Sequence, residues 1–275
     1  MALSDVAIQQ FRDQFINIYQ MIERKLAGSV VEVRGVTGSA YSFPTAGKIT
    51  LHDRGAFHSN IPATAVTYEH KTVSFSNKIA LIPSDIFEQA EVNASERQNL
   101  AKSAAYSISR WEDQFVINAL DDSSGTTIVD GGTNMTLAKL LEAKGDLDAN
   151  NVPAMGRHAA IYAQQLQKML DIEELTSSDY NTVRALVRGE IDTFLGFKFH
   201  VFGDMDEGGI PKTGDIRTCF VWQEDSVGMA YSINPTVTVD WEPQMQSYIV
   251  VPKVRAGAIA LQDEGIIKIA CDETA

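Results

Sequence analysis

The feature that most constrains this chain is the stretch 43–82, which reads as long β-strand with almost nothing to pack against. Thr64–Phe75 is its clearest part, rich in Thr, Val, Tyr and Phe. Alternation divides the segment into two faces, Val66, Tyr68, His70 and Thr72 against Thr67, Glu69, Lys71 and Val73, and neither is cleanly apolar. A ribbon of this size, set between helical stretches, does not stand alone in a compact domain. Its unmet surface predicts contact with other copies of the same chain. That points to a shell-building protein rather than an enzyme.

The 275 residues suffice for one large domain or two medium ones. No apolar run approaches the length of a membrane span, and the start MALSDVAIQQFRDQF lacks the basic and apolar segments of a signal peptide. The expectation is a protein made in the cytosol with no membrane partner. A net charge of −13 with no Lys/Arg cluster argues against tight nucleic-acid binding. An acidic wall is compatible with enclosing DNA without reading its sequence. Residues 45–80 depart from this background, with Lys48, Arg54, Lys71 and Lys78 against Asp53 and Glu69. A basic projection on an acidic body complements its own neighbours. Lys48, Arg54, Tyr68 and Lys71 are therefore candidate contacts between subunits.

Along the chain, Phe11, Phe15, Ile18, Tyr19, Ile22 and Leu26 form one stripe of an expected helix over 5–27, capped by Ser4 and ended by Gly28. That stripe needs either the chain's own core or a neighbour, so Phe11 and Phe15 join the contact candidates. A strand at Ser29–Arg34, a Gly turn and a loop at Tyr41–Gly47 follow. Lys78–Ile82 leads back to the body, with Pro83 ending it. Helical character runs from Ser84 to Leu120 and is strongest over Ala94–Leu120, a rod of roughly 40 Å. Met135–Leu147 and Ala163–Leu170 read as helices, and Thr182–Gly196 holds a loop and a Gly turn. Arg157–Tyr162, Phe197–Phe202, Cys219–Trp222 and Val227–Tyr231 read as strands. Pro235–Trp241 and Ser247–Leu261 form a long antiparallel pair, and Gly265–Cys271 is a last strand. The class is α+β.

Searches for chemistry return little. Gly209-Ile-Pro-Lys-Thr-Gly214 lacks the Lys-Ser/Thr of a phosphate loop. Asp204, Asp206, Gly209 and Asp215 echo calcium-loop spacing, but Gly208 and Asp215 occupy positions that need side-chain oxygens and a bidentate Glu. His52, Asp53, His58, Glu69 and His70 match no metal-ligand spacing. Cys219 and Cys271 read as small buried hydrophobes. No catalytic, cofactor-binding or metal residue is assigned, and no cofactor is expected.

The order of elements resembles the major capsid protein of tailed bacteriophages, the Hong Kong 97 type fold. Suggestive strings are Arg110-Trp-Glu-Asp-Gln-Phe, Gly189-Glu-Ile-Asp-Thr-Phe-Leu-Gly196-Phe-Lys-Phe, and Val254-Arg-Ala-Gly-Ala-Ile-Ala-Leu261 before Ile266-Ile-Lys-Ile. The resemblance implies an N-terminal arm at 1–42 and an extended loop at 43–82 lying over the adjacent subunit. It implies a peripheral domain of 83–132 with 233–263, and an axial domain of 133–232 with 264–275. Copies would assemble as hexamers and pentamers of an icosahedral virion shell around double-stranded DNA, in the host cytoplasm. Partners would be the chain itself, a portal and a decoration protein. The chain begins almost at the arm helix, so a separate scaffolding protein, or none, is expected. Some relatives crosslink through a loop lysine, but no motif here matches. Two other readings stay open: an encapsulin-like compartment shell, and a metal-dependent hydrolase using His52, Asp53, His58 and His70.

Overall fold

The computed structural model describes residues 23–53, 55, 63–85, 96–170, 193–204 and 208–275. The strands, in chain order, begin with β1 (Val31–Val33), β2 (Ala40–Ala46), β3 (Tyr68–Ser74), β4 (Ser76–Ile79), β5 (Ile82–Asp85), β6 (Thr126–Ile128) and β7 (Arg157–Tyr162). They continue with β8 (Thr193–Phe194), β9 (Phe197–Phe202), β10 (Lys212–Thr213), β11 (Ile216–Gln223), β12 (Val227–Glu242), β13 (Ser247–Ala260) and β14 (Ile266–Asp272). Three helices are described: α1 (Glu96–Asp121), α2 (Leu137–Ala149) and α3 (Ala163–Leu170).

A seven-stranded sheet runs β6-β14-β11-β7-β9-β8, with β10 beside β11. Its middle strands are buried on both faces, which is why they read as apolar runs rather than as alternation. On one face, Ala160, Phe202, Phe220, Trp222 and Ile266 meet Leu26 and the α1 residues Phe115, Val116 and Leu120. On the other, Ala159, Ile161, Phe197, Cys219, Val221, Ile267 and Cys271 meet Leu140, Ala143 and Leu147 of α2 and Met169 of α3. Thr136 caps α2, accepting a hydrogen bond from the Lys139 backbone at 3.3 Å.

The second sheet runs β1-β12-β13-β4, with β5 also on β13. Its backbone is the antiparallel pair β12–β13, registered from Val227↔Ala260 to Glu242↔Ser247. The 26-residue α1 lies along it, a rod of about 39 Å at 1.5 Å per residue. The third unit is the two-stranded ribbon β2–β3, from Ala40↔Ser74 to Ala46↔Tyr68.

Several expectations need correction. Tyr41–Gly47 is not a loop: Tyr41 and Phe43 turn inward while Ser42 and Pro44 face out, and Pro44 is tolerated in this narrow ribbon opposite His70. Pro83 does not end its strand, since β5 pairs through it with Ile249 and carries on to Asp85. Helix therefore does not begin at Ser84. Val227–Tyr231 and Pro235–Trp241 are one strand, made irregular by register shifts between Tyr231, Ile233 and Thr236. Residues 25–28 form a turn rather than the end of a helix, with Gly28 at φ 73°. The rest of the expected 5–27 helix lies outside the described residues.

Candidate subunit interface

The ribbon has a root and a tip with different physics. At the root, Phe43 and Val73 are buried with Ala230, against Val33, Val36, Ile259 and Leu261. This overturns the expectation that the segment has almost nothing to pack on. Two glycines make the seat. A Cβ on Gly257 would lie 2.4 Å from the Ser74 carbonyl oxygen, and one on Gly228 would lie 2.9 Å from the Phe43 ring. Backbone and ring come this close only because both positions lack a side chain. Tyr41 then stands edge-on to Phe43, with ring centroids 4.8 Å apart.

At the tip the burial stops. Gly47 donates to the Thr67 carbonyl at 2.8 Å, next to the last ladder pair, Ala46↔Tyr68. Beyond it Lys48, Ile49 and Leu51 face outward, Leu51 at 95% exposure and Tyr68 at 67%. Large apolar side chains clustered in the open mark a contact surface. A second such patch lies on the free end of β12–β13. There Val239, Trp241 and Met245 are exposed, and Trp241 packs edge-on to Tyr248 at 5.0 Å.

The basic residues of the ribbon divide. Lys71 forms an ion pair with the chain's own Asp263 at 3.8 Å, and Lys78 sits 3.6 Å from the Trp111 ring centroid. Both positive charges thus have partners at home, while Lys48 projects beside the tip. Lys48 and Lys71 line an open groove of about 620 Å³ with Asn150, Gln223, Gln262 and Glu264. Arg54, Phe11 and Phe15 lie outside the described residues.

The root of the N-terminal segment is held firmly. Asp113 of α1, itself buried, accepts the backbone N–H groups of Lys25 at 2.8 Å and Leu26 at 3.0 Å. Burial raises its pKa to about 6, against the lowering effect of those two hydrogen bonds. Arg24 pairs with Glu32, and Trp222 donates its indole N–H to the Ser29 carbonyl at 2.8 Å. The preceding residue of α1, buried Glu112, accepts from the Tyr231 hydroxyl at 2.6 Å, tying the helix to β12.

The other motifs resolve into structure. Asp204 pairs with Arg217, which also bonds Glu273 together with Lys212 from the Gly209–Gly214 turn. Asp206 lies outside the described residues. His52 and Asp53 are exposed, Glu69 and His70 sit in the ribbon opposite Thr45 and Pro44, and His58 lies outside the described residues. Among the described residues no group of three or more His, Cys, Asp or Glu could hold a metal ion, and no helix is long and apolar enough to cross a membrane. Cys219 and Cys271 are buried and free. Sequence reading missed Gly228, Gly257, Asp113 and a buried His158–His200 pair. The glycines sit inside strands, where Gly signals a close backbone approach, and that signal was available.

A spine helix beside a long β-hairpin, a central mixed sheet and a projecting ribbon make up a fold of the Hong Kong 97 type. Solved structures bear this out. The chain is similar to the head structure of Helicobacter pylori bacteriophage KHP40, with 9% identity, 99% of each chain covered and a TM-score of 0.77. It is similar to the capsid of cyanophage P-SCSP1u, with 14% identity, 96% and 92% covered and a TM-score of 0.74. It is similar to a solved structure from Mycobacterium phage Che8, with 17% identity, all of both chains covered and a TM-score of 0.70. No curated protein sequence matches. Residues 3–273 match the family of phage capsid proteins, and the chain belongs to that family. Fold and family make it a phage major capsid protein, a structural subunit located in the virion capsid.

Proposed function

We propose that each subunit completes its surface by laying the tip of its ribbon over an adjacent copy, in rings of six and five that close an icosahedral shell around double-stranded DNA. The observation that carries this reading is the contrast within one ribbon: a root locked in a glycine-lined seat and a tip with Leu51 fully in solvent. A rigid root aims the tip, and an exposed apolar tip is costly unless another surface covers it. Lys48, Ile49, Leu51 and Tyr68 are the contact residues this supports best, with Arg54, Phe11 and Phe15 as further candidates. Lys71 would have to leave Asp263 to take part.

The subunit acts through weak contacts repeated many times over the lattice rather than through catalysis. Peripheral (83–132 and 233–263) and axial (133–232 and 264–275) units are a workable division. The cut at 233 falls at the irregularity in β12, although β6 of the first unit pairs in the sheet of the second. A separate scaffolding protein, a portal and a decoration protein are the expected partners.

Excising 48–66 and closing Gly47 to Thr67 with an Asn-Gly turn tests the reading, since those two residues already bond each other. The root keeps Phe43 and Val73, so the subunit should stay soluble and folded but form no shells. Normal particles in electron micrographs of the excised variant would overturn the proposal.

A further inference from the structure

Two buried imidazoles lie where the root of the N-terminal segment meets the seven-stranded sheet. His158 on β7 and His200 on β9 place Nδ1 and Nε2 3.1 Å apart. Parallel register pairs His158 with Lys198 and Ala160 with His200, so both rings and the Lys198 side chain leave the same face. The rings stack on each other at 5.3 Å and on Trp222 of β11 at 5.7 and 6.3 Å. Trp222 holds the Ser29 carbonyl at 2.8 Å. Lys25 closes the joint, donating to the Val201 carbonyl and standing 5.2 Å from the Phe202 ring centroid.

This chain of bonds is complete only with neutral rings. With neutral rings, His158 donates from Nδ1 to Nε2 of His200, whose own proton then sits on Nδ1. A proton added to Nε2 of His200 keeps the ring–ring bond only by moving the His158 proton to its own Nε2, and a second proton sets two N–H groups against each other. A proton added to His158 would sit on Nε2, a buried atom with no partner among the described residues. The charged groups that act on the pair are Lys198 on β9 and Lys25 at the root, with Asp113 of α1 reached through the Lys25 backbone. The two lysines oppose a further positive charge, and Asp113 is engaged with the backbone N–H groups of Lys25 and Leu26.

We propose that the His158–His200 pair is an acid-sensitive latch that holds the residue 23–30 root on the seven-stranded sheet while both rings are neutral and frees it when they are protonated. The latch belongs to the single subunit and does not depend on how the shell is built. Burial, then Lys198, lowers the His158 pKa to about 4, and burial, His158 and Lys198 do the same for His200. Because the closed-state pKa lies below the ordinary 6.5, the latch is at full strength above pH 6.5 and weakens as pH falls towards 4. At pH 5 protonation favours the open joint by about 30-fold per ring. Asp113, with its raised pKa, acts the other way by about 10-fold, so the two rings prevail.

Hydrogen exchange of the full-length subunit from pH 7.5 to 4.5, corrected for intrinsic rates, tests this. Peptides covering 23–30 should lose protection by at least about 30-fold between pH 7.5 and 5, while β12–β13 peptides hold. The double variant H158Q/H200Q, whose amides hydrogen-bond but carry no charge, should lose no root protection as pH falls and should gain up to about 10-fold from Asp113. Constant root protection, an equal loss in the variant, or simultaneous loss in all peptides would overturn the latch. Should the variant fail to fold, the contrast between root and β12–β13 in the parent chain decides alone.

Discussion

Replacing Gly257 with Ala tests whether the ribbon is aimed by its seat. Gly257 registers with Ala230 on β12, and its Cβ would meet the Ser74 carbonyl oxygen at 2.4 Å and Val73 Cγ2 at 2.9 Å. A carbonyl oxygen fixed in a strand cannot rotate away as a side chain can. The root of the ribbon must therefore lift by about 1 Å to regain van der Waals distance. Overpacking of this kind costs about 1–3 kcal/mol. At roughly 2 °C per kcal/mol for a chain this long, calorimetry of the free subunit should show a Tm lower by about 2–6 °C. A lift at the root reaches the tip as a tilt, so assembly should suffer more than stability. Particle yield from a sucrose gradient, read beside the melt, separates the two effects. A Gly257→Ala variant that melts within about 1 °C of the parent, well inside the expected shift, and yields as many particles would refute the seat.

Other substitutions probe single contacts. Gly145→Ala is the complementary case, an open position inside α2 with nothing within 4 Å of the added carbon, and calorimetry should find it about 0.5–1 kcal/mol more stable. Tyr231→Phe strands the buried Glu112 carboxylate and should cost about 1–3 kcal/mol in denaturant unfolding; an unchanged midpoint would mean that the bond is not made. Leu51→Asp should leave the subunit melt within about 0.5 kcal/mol of the parent, since the site is exposed, yet abolish particles. Asp113 has a folded pKa raised to about 6 over the ordinary 3.8, so its contribution to stability is largest at low pH and is lost as pH rises through 6. Unfolding of Asp113→Asn beside the parent should therefore show the parent gaining by up to about 3 kcal/mol between pH 7 and pH 4. A pH-independent difference would contradict that.

Where side chains follow one period and the ends carry plain stop signals, the fold was legible. Arg157–Tyr162, Ala163–Leu170 and Phe197–Phe202 have the bounds that the residues suggest. The spine helix runs one residue past its expected end, and the first two residues expected in it, 94 and 95, lie outside the described residues. Pro83 misled, because a strand at a sheet edge tolerates a missing N–H. Long-range effects were invisible. Phe43 and Val73 are no more apolar than their neighbours suggest, and what buries them is a floor formed by Gly228 and Gly257 far along the chain. The partner of Lys71 is likewise distant, so its charge looked available when it is not. Tyr68 and Lys48 were legible as outward-facing because neither face of the ribbon is cleanly apolar, and beyond the root both faces are exposed.

The most direct measurement is a cryo-EM map of assembled particles at side-chain detail. The account predicts that residues 47–67 of each subunit are ordered against a neighbouring copy, with Leu51 and Tyr68 covered. Density in which that stretch turns back onto its own subunit, leaving the neighbour's surface bare, would contradict it.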